Sequence, residues 1–425
     1  MTTLFRALAV ALALATGCAP LGSKRVVSRP SPEITLVIVD GLDAEAATRE
    51  RMPRLAAAAR DRGSWLTADA VMPTRTNPNH ASLLTGTQSD AHGITGNWYW
   101  NGTAERELGD PALLEVETVF TAIARQRPAL TTVTAFAKAK LRRLFGAAPG
   151  LQSGPDVSWQ PAADDAYAAS DAETMEGFRP LVRRYRPAFA VVALADVDAA
   201  GHRDGPGAPS YRAAVENVDR LIGTLLDDLR QGGRWDRSIV VVTADHGFDA
   251  LLPTGRGRIA ADAVVDGGAH MVADGGVAHV YAGSAASLEA TIAKARLHPG
   301  VAAVYACTPR PDAPAPPADW HASHPRMGDV ILVARSGFTF VSGRRDPTKW
   351  FRGNHGGPGE RAVPLIVVGG YPALGRAASD LRPSAADVAP TIAALLGIEP
   401  PRRIDGAPVA ALVRGRVLGE LLGGQ

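Results

Sequence analysis

Four runs in this chain are apolar almost without interruption: "ITLVIVD" at 34–40, "AFAVVALADVD" at 188–198, "SIVVVTADHG" at 238–247 and "VPLIVVGG" at 363–370. A strand with one wet face alternates apolar and polar residues. These runs do not alternate, so they read as strands covered on both faces. Two further runs, "SWLTADAV" at 64–71 and "ALTTVTAF" at 129–136, have the same β-branched character. Between the runs lie stretches with helical periodicity, such as 52–62 and "YRAAVENVDRLIGTLLDDLR" at 211–230. Strands alternating with helices predict an α/β fold with an open, mostly parallel sheet and helices on both faces. In such folds ligands bind beyond the carboxyl ends of the strands.

At 425 residues, 46% hydrophobic and 21% charged, the chain can form one large domain with an insertion. The α/β domain is expected over 34–252 and 351–425. A more irregular, inserted cap-like region is expected over 253–350, which includes the Pro-rich "TPRPDAPAPPADW". A net charge of +2 and no basic stripe with interleaved aromatics exclude a nucleic-acid scaffold role. Residues 1–18 carry Arg6 and then an apolar run at 7–15, too short to span a bilayer and right for the core of a signal peptide. The segment ends in "ATGC", which resembles a bacterial lipobox, so Cys18 is the candidate lipid anchor and 19–33 a linker. The expectation is export, to the periplasm or a membrane-anchored state or otherwise by secretion, with no transmembrane helix in the mature protein. The cysteines are Cys18 and Cys307, so a lipidated Cys18 leaves no intrachain disulfide.

The strand ends carry the chemistry. Asp40 ends the first run, Asp198 and His202 follow the second four residues apart, and Asp245 and His246 close the third. His355, in "FRGNHGG", precedes the last run. One such residue is ordinarily a surface or capping group, whereas six at one sheet edge form a ligand set. Carboxylates and imidazoles without thiolates suit zinc, manganese or similar ions. Two such ions could activate a hydroxyl and clamp an in-line displacement. The candidate hydroxyl lies in "PTRTNPNHASLLTG" at 73–86, where Pro78 fits a first helical turn with Asn77 or Thr76 at the N-cap. Thr76 is therefore either a capping residue or a nucleophile held in the positive potential of a helix start.

Taken together, Asp40, the Thr76 turn, "HGITGN" at 92–97, the Asp198-to-His202 spacing, Asp-His-Gly at 245–247 and Gly-Asn-His-Gly around His355 resemble the alkaline phosphatase superfamily. Within it, they resemble most the type I phosphodiesterase/nucleotide pyrophosphatase family, over about 34–412. The resemblance implies two zinc ions. Asp198, His202 and His355 would hold one; Asp40, Asp245, His246 and the Thr76 oxygen would hold the other. It also implies that Thr76 attacks phosphorus, that water resolves the phospho-threonine, and that Asn97 contacts a non-bridging phosphoryl oxygen.

One departure concerns the substrate. Nucleotide pyrophosphatases carry an aromatic residue after the nucleophile, and this chain has Asn77. "TNPN" is closer to the phosphonoacetate hydrolase branch, whose Lys-x-Lys-Leu segment is matched by Lys138 and Lys140 in "TTVTAFAKAKLRRLF". Two cations there would suit a second negative group on the substrate; the other reading is a solvated helix face. Three functions follow from these readings. The first is hydrolysis of phosphodiester or pyrophosphate bonds in a small phosphoryl substrate. The second is cleavage of the C–P bond of a phosphonoacetate-like substrate. The third is a non-catalytic metal-binding lipoprotein, which predicts loss of a ligand or of the nucleophile. His80 and His92 are expected to pack or hydrogen-bond around the nucleophile turn.

Overall fold

A computed structural model describes residues 31–60, 62–162, 168–342, 351–407, 409–410 and 414–421. The export segment, Cys18 and most of the linker lie outside the described residues. Strands β1 (Glu33–Val39), β2 (Ser64–Asp69), β3 (Thr132–Phe136), β4 (Val157–Ser158), β5 (Phe189–Leu194) and β6 (Ser238–Thr243) belong to the main sheet. Strands β7 (His270–Asp274), β8 (Val277–Tyr281), β9 (Val301–Ala306) and β10 (Val330–Ala334) form a second sheet, and β11 (Ala362–Gly369) returns to the first. The helices that matter below are α1 (Pro53–Ala58), α2 (Thr76–Thr85), α3 (Asp171–Tyr185), α4 (Asp196–Asp204), α5 (Pro209–Gln231) and α6 (Ala285–Leu297).

The main sheet runs β2-β11-β6-β1-β5-β3-β4. Every residue of β1 is buried, and Leu36 lies between Val191 of β5 and Val241 of β6, both in parallel register. The apolar runs thus occupy the centre, as their lack of alternation requires. β11 is reversed, pairing antiparallel with both β6 and β2. A reversed strand brings its beginning, not its end, to the edge where its parallel neighbours finish. This is why the His355 motif precedes its strand while the Asp40, Asp198 and Asp245 motifs follow theirs.

α5 buries Tyr211, Val215, Val218, Ile222, Leu225, Leu226 and Leu229, an apolar stripe at helical spacing that packs with α3 and α4. α1 is shorter than the 52–62 expected, ending at Ala58. Gly63 lies against that end, where a Cβ would come within 2.5 Å of the Ala59 Cα. The second sheet is antiparallel, in the order β7-β8-β10-β9. One apolar cluster joins Met271, Val280, Val304 and Leu332 to Ile292 of α6. Val277, Ile331 and Val333 pack instead with Met72 and Trp320. Among the described residues no helix is long and apolar enough to cross a membrane.

Candidate active site

The strand ends gather the six ligand candidates into two groups. Asp198, His202 and His355 form one, Asp40, Asp245 and His246 the other, each with its ligand atoms within 4.8 Å of one another. The groups abut: the His246 and His355 rings stack with centroids 3.4 Å apart. Asp198 and His202 share one face of α4 because residues four apart are neighbours on a helix.

Backbone carbonyls set the state of all three imidazoles. His202 Nδ1 lies 3.1 Å from Gly353 O, His246 Nδ1 3.0 Å from Gly247 O, and His355 Nδ1 2.7 Å from Thr74 O. A carbonyl only accepts, so each Nδ1 carries a proton, and the neutral rings of His246 and His355 present Nε2 as an acceptor, that of His355 with Arg75 Nη1 at 3.4 Å. Around these nitrogens lie carboxylate oxygens, which when ionised also only accept. His202 Nε2 is 3.3 Å from Asp198 Oδ1, and His246 Nε2 is 3.4 Å from Asp40 Oδ1 and 3.3 Å from Asp245 Oδ2. Asp40 Oδ1, Asp198 Oδ1, Asp245 Oδ2 and His246 Nε2 are buried without a hydrogen-bond partner. Buried acceptors aimed at one another are repulsive unless a cation lies between them, so the donor set fits metal ions.

The electrostatics agree. Burial drives the His246 pKa down to about 4 and that of His355 well below the usual imidazole range, keeping both rings neutral. Burial, reinforced by the nearby Asp245 charge, raises Asp40 well above the ordinary carboxylate value. For Asp198 burial also presses upward, but the Lys138 ammonium, the largest opposing influence, holds the group ionised. Asp245 settles at about 2, where His246 and His80 outweigh burial.

The Thr76 turn answers the capping question. α2 begins at Thr76, so the N-cap position is Arg75 rather than Asn77 or Thr76, and no local side chain caps the helix. The cap comes from elsewhere: Asn97 Oδ1 accepts the N–H of Asn77 at 3.0 Å. Thr76 is therefore not the capping residue. His80, one turn on, links α2 to the second ligand group. Its Nδ1 lies 2.9 Å from Thr76 O and 3.5 Å from Asp245 Oδ2. Asn77 is fully buried and donates its amide to Leu108 O at 2.8 Å, so it offers no surface for stacking.

Lys138 is not on a solvated face. Only 2% exposed, its ammonium lies 2.7 Å from Asp40 Oδ2 and 2.7 Å from Asp198 Oδ2, one carboxylate from each ligand group. Lys140 is half-buried nearby, its pKa lowered to about 8 by burial and the Lys138 charge.

Asp171 is a supporting residue that had no sequence signal beyond a helix start. Its Oδ1 accepts the N–H groups of Ala195 at 2.6 Å and Asp196 at 3.0 Å, capping the helix that carries Asp198 and His202. Burial, with the Asp196 charge second, raises its pKa from 3.8 to about 7. The folded state therefore holds a proton that the unfolded chain releases, and Asp171 contributes stability at low pH that is lost as pH rises through that interval. Asp171→Asn is expected to flatten the decline in melting temperature of metal-free protein between about pH 4 and about pH 7. Parallel wild-type and variant curves would contradict this.

A family model described as type I phosphodiesterase / nucleotide pyrophosphatase matches residues 34–358. Ectonucleotide pyrophosphatase/phosphodiesterase family member 7 of Homo sapiens is 30% identical over 264 residues, 58% of this chain and 54% of that protein. Bis(5'-adenosyl)-triphosphatase enpp4 of Xenopus laevis is 25% identical over 226 residues, 51% of this chain and 47% of that protein. The chain thus spans about half the length of these curated relatives. Murine ectonucleotide pyrophosphatase / phosphodiesterase 5, solved with AMP, superimposes with a TM-score of 0.69 at 19% identity, covering 87% of this chain and 96% of that one. Phosphonoacetate hydrolase from Sinorhizobium meliloti 1021, solved with phosphonoformate, gives a TM-score of 0.63 at 23% identity, covering 87% and 96%. Both structures share the fold.

Proposed function

The chain belongs to the type I phosphodiesterase / nucleotide pyrophosphatase family, and on that premise we propose that it is an exported di-zinc hydrolase of phosphodiester or pyrophosphate bonds that works through a phospho-threonine on Thr76. The observation that carries this reading is the pair of abutting ligand groups, their bare lone pairs facing one another, beside a helix start whose cap comes from another residue. Asp198, His202 and His355 would hold one zinc, and Asp40, Asp245, His246 and Thr76 Oγ the other. When bound, the pair would lower the pKa of the Thr76 hydroxyl and offset phosphoryl charge.

The chain's own groups do the rest. α2 presents Thr76 at its positive end, where an anionic phosphoryl group is favoured. Thr76 Oγ forms a bond to phosphorus as the bond to the leaving oxygen breaks in line, and water later cleaves the Thr76–phosphate ester. Asn97, its Oδ1 committed to Asn77, would offer its amide N–H groups to a non-bridging oxygen. Residues 253–350 serve as the inserted cap-like region of the α/β domain at 34–252 and 351–425.

The half-buried Lys140 favours a second reading, the lysine pair of a phosphonoacetate-like site, in which Lys140 contacts the substrate carboxylate, Lys138 stays between Asp40 and Asp198, and the C–P bond is cleaved. Rates on bis-p-nitrophenyl phosphate, p-nitrophenyl phosphate and phosphonoacetate, with zinc restored after chelation, separate the two. The diester is expected to be the fastest substrate. Phosphate release from phosphonoacetate alone would replace the first reading with the second, and no turnover of any of them would leave a non-catalytic metal-binding lipoprotein. Export through 1–18 with lipidation of Cys18 predicts a mature N-terminus at Cys18 by mass spectrometry; an intact Met1 would contradict it.

A further inference from the structure

The inserted sheet meets the candidate active site through one turn. β7 ends at Asp274 and β8 begins at Val277, leaving Gly275 and Gly276 as a two-residue hairpin loop, with Gly275 at φ +77°. This turn lies against the His355 loop. The Gly276 N–H donates to His355 O at 3.0 Å, and a Cβ on Gly275 would lie 1.9 Å from that oxygen. Glycine alone permits so close an approach.

The turn carries Asp274 inward, to 1% exposure. Its two oxygens divide their work. Oδ1 lies 3.0 Å from Arg75 Nε, and Oδ2 accepts the backbone N–H of Asn97 at 3.0 Å. The Arg75 guanidinium, itself buried, continues to His355 O at 3.1 Å and to His355 Nε2 and Asn354 Oδ1, both at 3.4 Å. Arg75 immediately precedes Thr76. Asn77 immediately follows it, and its N–H is held by Asn97. One carboxylate from the insertion therefore braces both neighbours of Thr76, the first through a charge pair and the second through Asn97.

We propose that Asp274 is a positioning residue for phosphoryl transfer, fixing Thr76 and Asn97 in register with the His355 loop and making the insertion part of the catalytic apparatus. This rests on the reading of Thr76 as nucleophile. Losing the carboxylate charge leaves the buried Arg75 cation uncompensated, and that strain falls on the residue next to the attacking oxygen. Reacting groups displaced by about 1 Å lose roughly a hundredfold in rate.

Asp274→Asn keeps the size and one acceptor but removes the charge. In metal-loaded protein it is expected to lower kcat on bis-p-nitrophenyl phosphate by about tenfold to a hundredfold, with KM within about threefold of wild type and metal content unchanged. Adding Arg75→Met removes the stranded cation, and the double variant is expected to recover part of the lost kcat. Unchanged kcat in Asp274→Asn, or a fall only in proportion to lost metal, overturns the proposal. Should Asp274→Asn not fold, the apolar pair Arg75→Met with Asp274→Leu takes its place. That pair is expected to fold and load metal but turn over slowly, and wild-type kcat from it overturns the proposal. Wild-type turnover that is lost in Thr76→Ala but kept in Asp274→Asn defeats this inference alone. A metal-loaded wild type inactive on every phosphoryl substrate defeats the functional reading and this inference together.

Discussion

Thr76→Ala is expected to lose turnover by about a thousandfold or more while remaining folded and metal-loaded. The size of the effect follows from the role, since without the hydroxyl no phospho-enzyme forms and only unassisted attack by water remains. That the fold survives follows from the helix start. Thr76 makes no cap hydrogen bond, and Asn97 holds the first turn through Asn77, so the substitution removes no capping hydrogen bond of α2. Its melting temperature should therefore stay close to wild type, because losing a true capping side chain costs about 1 kcal/mol and this residue is not one. Thr76→Ser keeps the oxygen and should keep a substantial part of the rate. Acid-quenched wild-type enzyme should carry phosphate on Thr76, and the alanine variant none. A Thr76→Ala enzyme with more than about a tenth of wild-type kcat would remove Thr76 from the mechanism.

Zinc should also stabilise the fold strongly and at two sites. Three buried carboxylates, Asp40, Asp198 and Asp245, crowd beside two neutral buried imidazoles, with Lys138 bridging Asp40 and Asp198. An ion bound to the folded state alone adds about 2.7 kcal/mol when its free concentration is a hundred times its dissociation constant. For two sites that is roughly 5 kcal/mol, or about 6 °C in melting temperature for a chain of 425 residues. Asp245→Ala should remove one site, halving both the bound zinc and the shift. It should also abolish turnover, because that group flanks Thr76 through His80. A single-site titration in wild type, or no shift with saturating zinc, would contradict the two-ion arrangement.

Much of this was legible in the chain because burial on both faces leaves a plain mark in sequence. The apolar runs at β1, β5, β6 and β11 named the centre of the sheet, and acidic or histidine residues beside such runs can only emerge at an edge. What stayed hidden depends on contacts across long sequence separations. The N-cap of α2 was misplaced because its partner, Asn97, lies in another segment, and local rules see only neighbours. Lys138 offered two readings, and neither put its ammonium between the two ligand groups, since "KAKLRR" has the composition of an exposed helix. Arg75 and Asp274, about two hundred residues apart, carried no sequence mark of their pairing. The signal that existed was "ADGGV", a two-glycine hairpin turn, which marks close backbone approach without saying to what.

The most direct measurement is an anomalous difference map, recorded at the zinc edge, from crystals of zinc-loaded protein. Two peaks are expected, one among Asp198, His202 and His355 and the other among Asp40, Asp245 and His246, with Thr76 Oγ at the second. One peak, none, or a pair away from Thr76 would contradict the account.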